Sequence, residues 1–274
     1  MKSAGNSVRL SVLAIAVAMA GCGTPPDTGN RPPATNAGSP TAASARDVPG
    51  VYDPADGTFW IPAAGAPDSR PVGFGAPNMQ PIIGDWNGDG KSSLGLYLAS
   101  GGSFFLTDRI EAGDASMKFT FGGPNLRPIA GDWDGDGKET VGVYVPNSGT
   151  FFLTNTNGPG LPAFTTSFGA TNMLPVAGDW DGDGKDSIGV YDPKTGTFFL
   201  SNVIDRPVAV ATFVFGAANL VPLAGDWDGD GKDTVAVYDP ATASFHTASE
   251  NAASAKATTS VVGRPNLIPI AGRW

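Results

Sequence analysis

Four segments of the chain place oxygen-bearing side chains at every second residue. Asp132, Asp134 and Asp136 form one set, Asp179, Asp181 and Asp183 a second, and Asp226, Asp228 and Asp230 a third; the segment that opens at Gly84 carries Asp85, Asn87 and Asp89. Three carboxylates packed into five residues repel one another unless a cation sits among them. Side-chain ligands at positions 1, 3 and 5, glycine at 6 for the sharp turn and a backbone carbonyl at 7 are the first half of an EF-hand-type loop. Position 7 is Lys91, Lys138, Lys185 or Lys232, whose carbonyl can turn inward while the ammonium points out. Oxygen-only donors select a hard cation such as Ca²⁺ over zinc or copper. About four calcium ions are therefore expected. Their recurrence from unit to unit marks them as structural.

Other chemistry has little to work with. One Cys excludes a disulfide framework or a multi-thiolate metal site, and one His excludes a histidine cluster. That histidine, His246, falls at a repeat position held elsewhere by Trp60, Phe105, Phe152 and Phe199. It reads as repeat decay, with asymmetric chemistry as the alternative. There is no Gly-x-Ser-x-Gly and no His-Glu-x-x-His, and the acids outside the loops are scattered. No catalytic residue is assigned, and the chain is expected not to be an enzyme. Seventeen Lys and Arg against 26 Asp and Glu, a net charge of -9, leave no basic surface for phosphates, so nucleic acid is not an expected partner.

The elements that hold these loops follow from a repeat. The loops open at Gly84, Gly131, Gly178 and Gly225, a constant step of 47 residues, and one further step lands on Gly272. A tyrosine recurs at Tyr52, Tyr97, Tyr144, Tyr191 and Tyr238, and a phenylalanine at Phe59, Phe104, Phe151, Phe198 and Phe245. Asn-x-x-Pro recurs from Asn78, Asn125, Asn172, Asn219 and Asn266. Within a unit, runs such as RPIAGDW, TVGVYV, GTFFLT and AFTTSFG are short, β-branched and aromatic, separated by turn residues. Four strands per repeat at this spacing indicate a propeller blade. The folded part opens on the second strand of a unit and stops on the first. The expected fold is all-β: a five-bladed β-propeller of four-stranded antiparallel blades, closed by pairing of the N- and C-terminal strands, which hides both sheet edges. Trp86, Trp133, Trp180, Trp227 and Trp274 are expected to pack between blades rather than stack on sugars, and the repeated Asn to serve turns rather than a ligand.

The acidic loops, with Phe-Gly-Ala-Pro at Phe74 to Pro77 and Phe-Gly-Gly-Pro at Phe121 to Pro124, resemble the FG-GAP/VCBS repeats of integrin-type propellers. The resemblance covers residues 51–274 and implies calcium held between strands on one face. The family often has Asp at position 9, where this chain has Ser93, Thr140, Ser187 and Thr234, and three loops put an acid at position 8 instead: Glu139, Asp186 and Asp233. The last ligand is thus open between a hydroxyl, a water and a shifted carboxylate. The first loop, with Asn87 and Ser92, should bind most weakly.

Residues 1–21 have the charged, apolar and small-residue regions of an export signal, and Met19-Ala20-Gly21-Cys22 resembles a bacterial lipobox, with Cys22 the lipidated residue. Residues 22–48, rich in Pro, Thr, Ala, Gly and Ser, are expected to be a disordered tether, and residues 49–274 the propeller. Loss of residues 1–21 removes Lys2 and Arg9 and no acid, leaving -11; four Ca²⁺ would bring this to about -3. The expected protein is exported, lipid-anchored in the bacterial cell envelope and monomeric. Its expected function is non-catalytic binding of a carbohydrate or protein, as in adhesion. The alternatives are an envelope polysaccharide-acting enzyme and a structural subunit of an envelope complex.

Overall fold

The β-branched and aromatic runs become twenty strands in a computed structural model that describes residues 46–62 and 69–274. The expected signal peptide, Cys22 and the tether up to residue 45 lie outside the described residues. The first blade comprises β1 (Val48–Asp53), β2 (Thr58–Pro62) and β3 (Ser69–Gly73). The second is β4 (Gln80–Gly84), β5 (Ser93–Leu98), β6 (Ser103–Leu106) and β7 (Met117–Thr120). The third is β8 (Arg127–Gly131), β9 (Thr140–Val145), β10 (Thr150–Leu153) and β11 (Phe164–Ser167). The fourth is β12 (Leu174–Gly178), β13 (Ser187–Asp192), β14 (Thr197–Leu200) and β15 (Ala211–Val214). The fifth is β16 (Val221–Gly225), β17 (Thr234–Asp239), β18 (Ser244–Ala248) and β19 (Ala257–Val261), and β20 (Ile268–Gly272) completes the first blade.

Each blade is a four-stranded antiparallel sheet, and the described residues contain no helix. The innermost strands β4, β8, β12, β16 and β20 touch one another in a closed ring, which makes a five-bladed propeller. Its closure is the expected one. Strand β20 pairs with β1 from Val48 opposite Gly272 to Tyr52 opposite Ile268. One boundary is corrected: β1 begins at Val48, and the Asp47 N–H already donates to the Asp226 carbonyl at 2.8 Å. The fold therefore takes in two residues read above as tether, because Asp47 fills a repeat position that the tether's composition concealed.

The second strand of each blade is buried on both faces, as its apolar run requires. Its tyrosine lies directly opposite the phenylalanine of the third strand in all five blades, both fully buried, as with Tyr144 and Phe151. Ring centroids are 4.6 to 4.8 Å apart in a tilted arrangement. Such a pair contributes about 0.5–1.5 kcal/mol beyond its area burial. Two residue pairs further along, Gly142 faces Leu153, whose Cδ2 would stand 2.5 Å from a Cβ at that glycine. The fifth blade keeps the volume by the opposite trade, Ala236 facing Thr247.

The connectors between blades explain the repeated asparagines. Asn78, Asn125, Asn172, Asn219 and Asn266 all adopt φ between 60° and 66°, the left-handed region that Asn tolerates better than most residues. Each backbone N–H then bonds a carbonyl in the turn between the second and third strands of the preceding blade, as Asn172 does to Pro146 at 2.8 Å. Tyrosine hydroxyls hold the same connectors: Tyr191 donates to the Ala217 carbonyl at 2.7 Å and Tyr97 to that of Gly123 at 2.8 Å.

Candidate metal centre

The four acidic loops join the first strand of a blade to its second, so all four project from one end of the propeller. Each loop is closed by its own position-1 carboxylate. Asp132 Oδ1 accepts the N–H groups of Gly135 and Asp136 at 2.7 and 3.1 Å, and Oδ2 accepts that of Gly137 at 2.8 Å. Asp85, Asp179 and Asp226 repeat the pattern. Position 5 braces position 7, two residues on, Asp136 Oδ1 accepting the Lys138 N–H at 2.9 Å. The glycines at positions 4 and 6 take φ of 77° to 85°, so a side chain at either would be strained. Position 4 is also crowded: a Cβ at Gly135 would lie 2.8 Å from Cγ of Lys185, whose stem crosses the loop of the preceding blade.

The result is three triads, Asp132-Asp134-Asp136, Asp179-Asp181-Asp183 and Asp226-Asp228-Asp230, each presenting carboxylate oxygens within 4.8 Å of one another. A donor set of three ionised oxygens at this spacing fits a hard divalent cation and offers nothing to a soft one. In the first loop the Asn87 amide donates to Asp89 Oδ2 at 3.3 Å, so the side chain that replaces an acid already partners its neighbour.

The two residues that follow each loop do not join it. The Thr140 hydroxyl donates to the Thr154 carbonyl at 2.5 Å and that of Thr234 to the Ala248 carbonyl at 2.8 Å; Ser93 and Ser187 are likewise buried at the strand start. Position 8 turns to the preceding blade instead. Asp186 donates its N–H to the Asp132 carbonyl at 2.8 Å and accepts the Asp132 N–H on Oδ2 at 2.7 Å. Asp233 holds Asp179 in the same way, Asp47 holds Asp226, and Ser92 holds Arg273. Glu139 donates its N–H to the Asp85 carbonyl at 2.9 Å. The hydroxyls of Thr140 and Thr234 and one carboxylate oxygen each of Asp186 and Asp233 thus have hydrogen-bond partners outside their own loops.

Sequence reasoning passed over Asp47 and Arg273. Asp47 stands five residues before Tyr52, as Glu139 stands before Tyr144, and that spacing was the available signal. Asp47, Ser92, Glu139, Asp186 and Asp233 together line a narrow axial cavity of 130 Å³, walled by Ile83, Ala130, Ala177, Ala224 and Ala271. A wider mouth of 280 Å³, bordered by Asp85, Asp132 and Arg273, opens above it. Burial pushes the Glu139 and Asp233 carboxyls well above the usual range, with neighbouring carboxylates adding to the effect. Burial also raises Asp186 to about 7, against the Asp132 N–H that opposes it. Asp47 is raised by burial too, with the Asp226 N–H and the Arg273 charge pulling the other way.

The other candidates have structural surroundings. Trp86 shares a cluster with Tyr97 of its own blade and Val141 of the next, and its indole N–H donates to the Leu94 carbonyl at 3.2 Å. Trp274 donates to the Val48 carbonyl at 3.2 Å, across the closure. The Nδ1 of His246 lies 2.8 Å from the Thr259 hydroxyl on the outer strand of its blade, away from the acidic loops.

No protein-family model matches the chain, and no curated protein does either. Among solved structures, the crystal structure of BBS1N in complex with ARL6DN, soaked with lead, is similar at 11% identity and a TM-score of 0.37. The alignment covers 70% of this chain and 58% of that one, and likeness of this degree carries no functional argument.

Proposed function

We propose that this propeller is a calcium-stabilised binding module of the FG-GAP/VCBS type, non-catalytic, exported and held in the bacterial envelope by a lipid on Cys22. The observation that carries the calcium part is the set of three aspartate triads, each with carboxylate oxygens within 4.8 Å. Bound calcium would supply positive charge at positions 1, 3 and 5 of each loop and cancel their mutual repulsion. Asp132, Asp179 and Asp226 order the loops through backbone N–H groups, and position 8 fastens each loop's first residue to the next blade. Cation binding at the loops is thereby linked to the stability of the whole ring. Envelope placement rests on residues 1–22, and the binding role on a closed ring whose blades present loops at both ends.

Thermal unfolding of the chain lacking residues 1–22, in excess chelator and in excess calcium, tests the metal reading. An ion at a hundred times its Kd contributes about 2.7 kcal/mol per site. Three filled triads would then raise the melting temperature by roughly 15 °C or more at about 2–4 °C per kcal/mol. Identical melting curves in the two conditions would refute it. A glycan array and a pull-down from envelope extract, with the calcium-loaded chain, test the binding role and separate sugar from protein ligands. A second reading, a polysaccharide-acting enzyme, has one observation in its favour: buried carboxylates with raised pKa at the axial cavity. Hydrolysis of envelope polysaccharide that Asp186→Asn abolishes would select it.

A further inference from the structure

One unit departs from the acidic pattern at its first position. Where four units have Asp85, Asp132, Asp179 and Asp226, the unit of β20 has Arg273. Its backbone is held in the same register: the Arg273 N–H donates to Ser92 Oγ at 2.9 Å and its carbonyl accepts the Ser92 N–H at 2.8 Å, the counterpart of the Asp132–Asp186 pair. The side chain crosses the seam to the fifth blade. One terminal guanidinium nitrogen stands 3.5 Å from Asp226 Oδ2, and Nε 3.8 Å from Asp47 Oδ1.

Asp226 is the position-1 carboxylate of the fourth acidic loop, and three features set that loop apart. Among the described residues, no acid of the other three loops has a basic group within ion-pairing distance. Asp226 is 3% exposed, whereas Asp132 and Asp179 are only part-buried. The N–H of Gly231 reaches Asp226 Oδ2 at 3.1 Å, against 2.6 to 2.8 Å for Gly90, Gly137 and Gly184 in the other loops. The oxygen that faces the guanidinium is the one whose loop bond is longer than its counterpart in each of the other three loops.

From these contacts we infer that Arg273 sets the cation affinity of the fourth loop, making the Asp226 triad bind calcium more weakly than the Asp132 and Asp179 triads. The inference rests on the calcium reading above. A divalent ion entering the Asp226 triad meets a fixed positive charge already paired to one of its ligands, and the other two triads offer no such opposition. A unit charge a few ångström from a divalent ion, screened as in water, changes its affinity by about tenfold. The same guanidinium contacts Asp47 of its own blade, and through Asp226 it ties the first blade to the fifth.

Calcium titration by calorimetry, on the full chain and on Arg273→Gln, reads this directly. The unsubstituted chain should show a tight class from the Asp132 and Asp179 triads and a weaker class from the Asp85 and Asp226 loops. Arg273→Gln should move the Asp226 loop into the tight class with a gain of about tenfold, a gain that shrinks in high salt. Asp226→Asn provides the independent check: it should delete a weak site and leave the tight class whole. A folded Arg273→Gln protein with unchanged classes would overturn the inference, as would loss of a tight site in Asp226→Asn. Absence of any calcium heat in the unsubstituted chain would instead refute the calcium reading itself, and this inference with it.

Discussion

Asp186 is both a fastener between blades and a charge held out of bulk water. Its carboxylate accepts the Asp132 N–H at 2.7 Å, and burial carries its pKa from 3.8 to about 7. An acid raised on folding binds more protons in the native than in the unfolded state across that window. Stability is therefore greatest at low pH and falls as pH climbs from about 4 towards 7. A shift of about three units, at 1.36 kcal/mol each, amounts to about 4 kcal/mol of destabilisation at pH 8. Asp186→Asn keeps an oxygen for the Asp132 N–H and removes the charge. In chelator at pH 8 the variant should be more stable than the parent by a few kcal/mol, roughly 5–15 °C in melting temperature. At pH 4, where Asp186 is itself largely neutral, the two should agree to within about 0.5 kcal/mol. Asp186→Ala removes the acceptor and should cost about 1–3 kcal/mol at pH 4. Urea unfolding followed by tryptophan fluorescence across this pH range gives all three numbers. A variant Asp186→Asn that is less stable at pH 8, or whose gain persists at pH 4, would show that the axial charge carries no penalty.

Two further outcomes follow from the fold. All five tyrosines are fully buried, and burial pushes Tyr52 and Tyr191 up to about 12 and raises Tyr97, Tyr144 and Tyr238. Their contribution to stability is complete below pH 10 and lost as pH rises towards 12, so the native chain should show no phenolate absorbance at 295 nm near pH 10; a reversible native titration centred there would contradict the buried Tyr–Phe pairs. At Asn172, with φ of 64°, Asn172→Gly should be nearly neutral and Asn172→Ala should cost about 1–2 kcal/mol; equal damage from both, measured by thermal unfolding, would mean that the amide and not the backbone angle is what the position requires.

How much was legible depended on how far each interaction reaches along the chain. The acidic loops were readable because they close within six residues: Asp132 caps Gly135, Asp136 and Gly137, and no distant partner is needed. The Tyr–Phe pairs were readable because a hairpin with a short turn sets its own register, Tyr144 meeting Phe151. The hydrogen-bond partners of the position-8 acids were not legible, for the same reason in reverse. Asp186 follows its own loop directly, so spacing alone suggests a ligand, yet its hydrogen-bond partner is Asp132, 54 residues away. Position 9 starts the second strand, with the Thr140 and Thr234 hydroxyls donating to carbonyls at the end of the third strand, and position 8, one residue earlier, reaches across the seam.

Sequence alone determined the number of blades, the order of strands within each, the left-handed turns at Asn and Gly, and the aspartates gathered at one end of the ring. Those features repeat every 47 residues and are specified within one unit. Tertiary structure decided where the acids between the loops and the second strands are directed, and which loop meets a cation of the chain's own. Asp47 and Asp226 are 179 residues apart, and only closure of the ring brings them, with Arg273, to one seam. The physical reason is that a repeat encodes contacts within a unit, while the angle between blades, shared by all five, places one unit's side chains against the next.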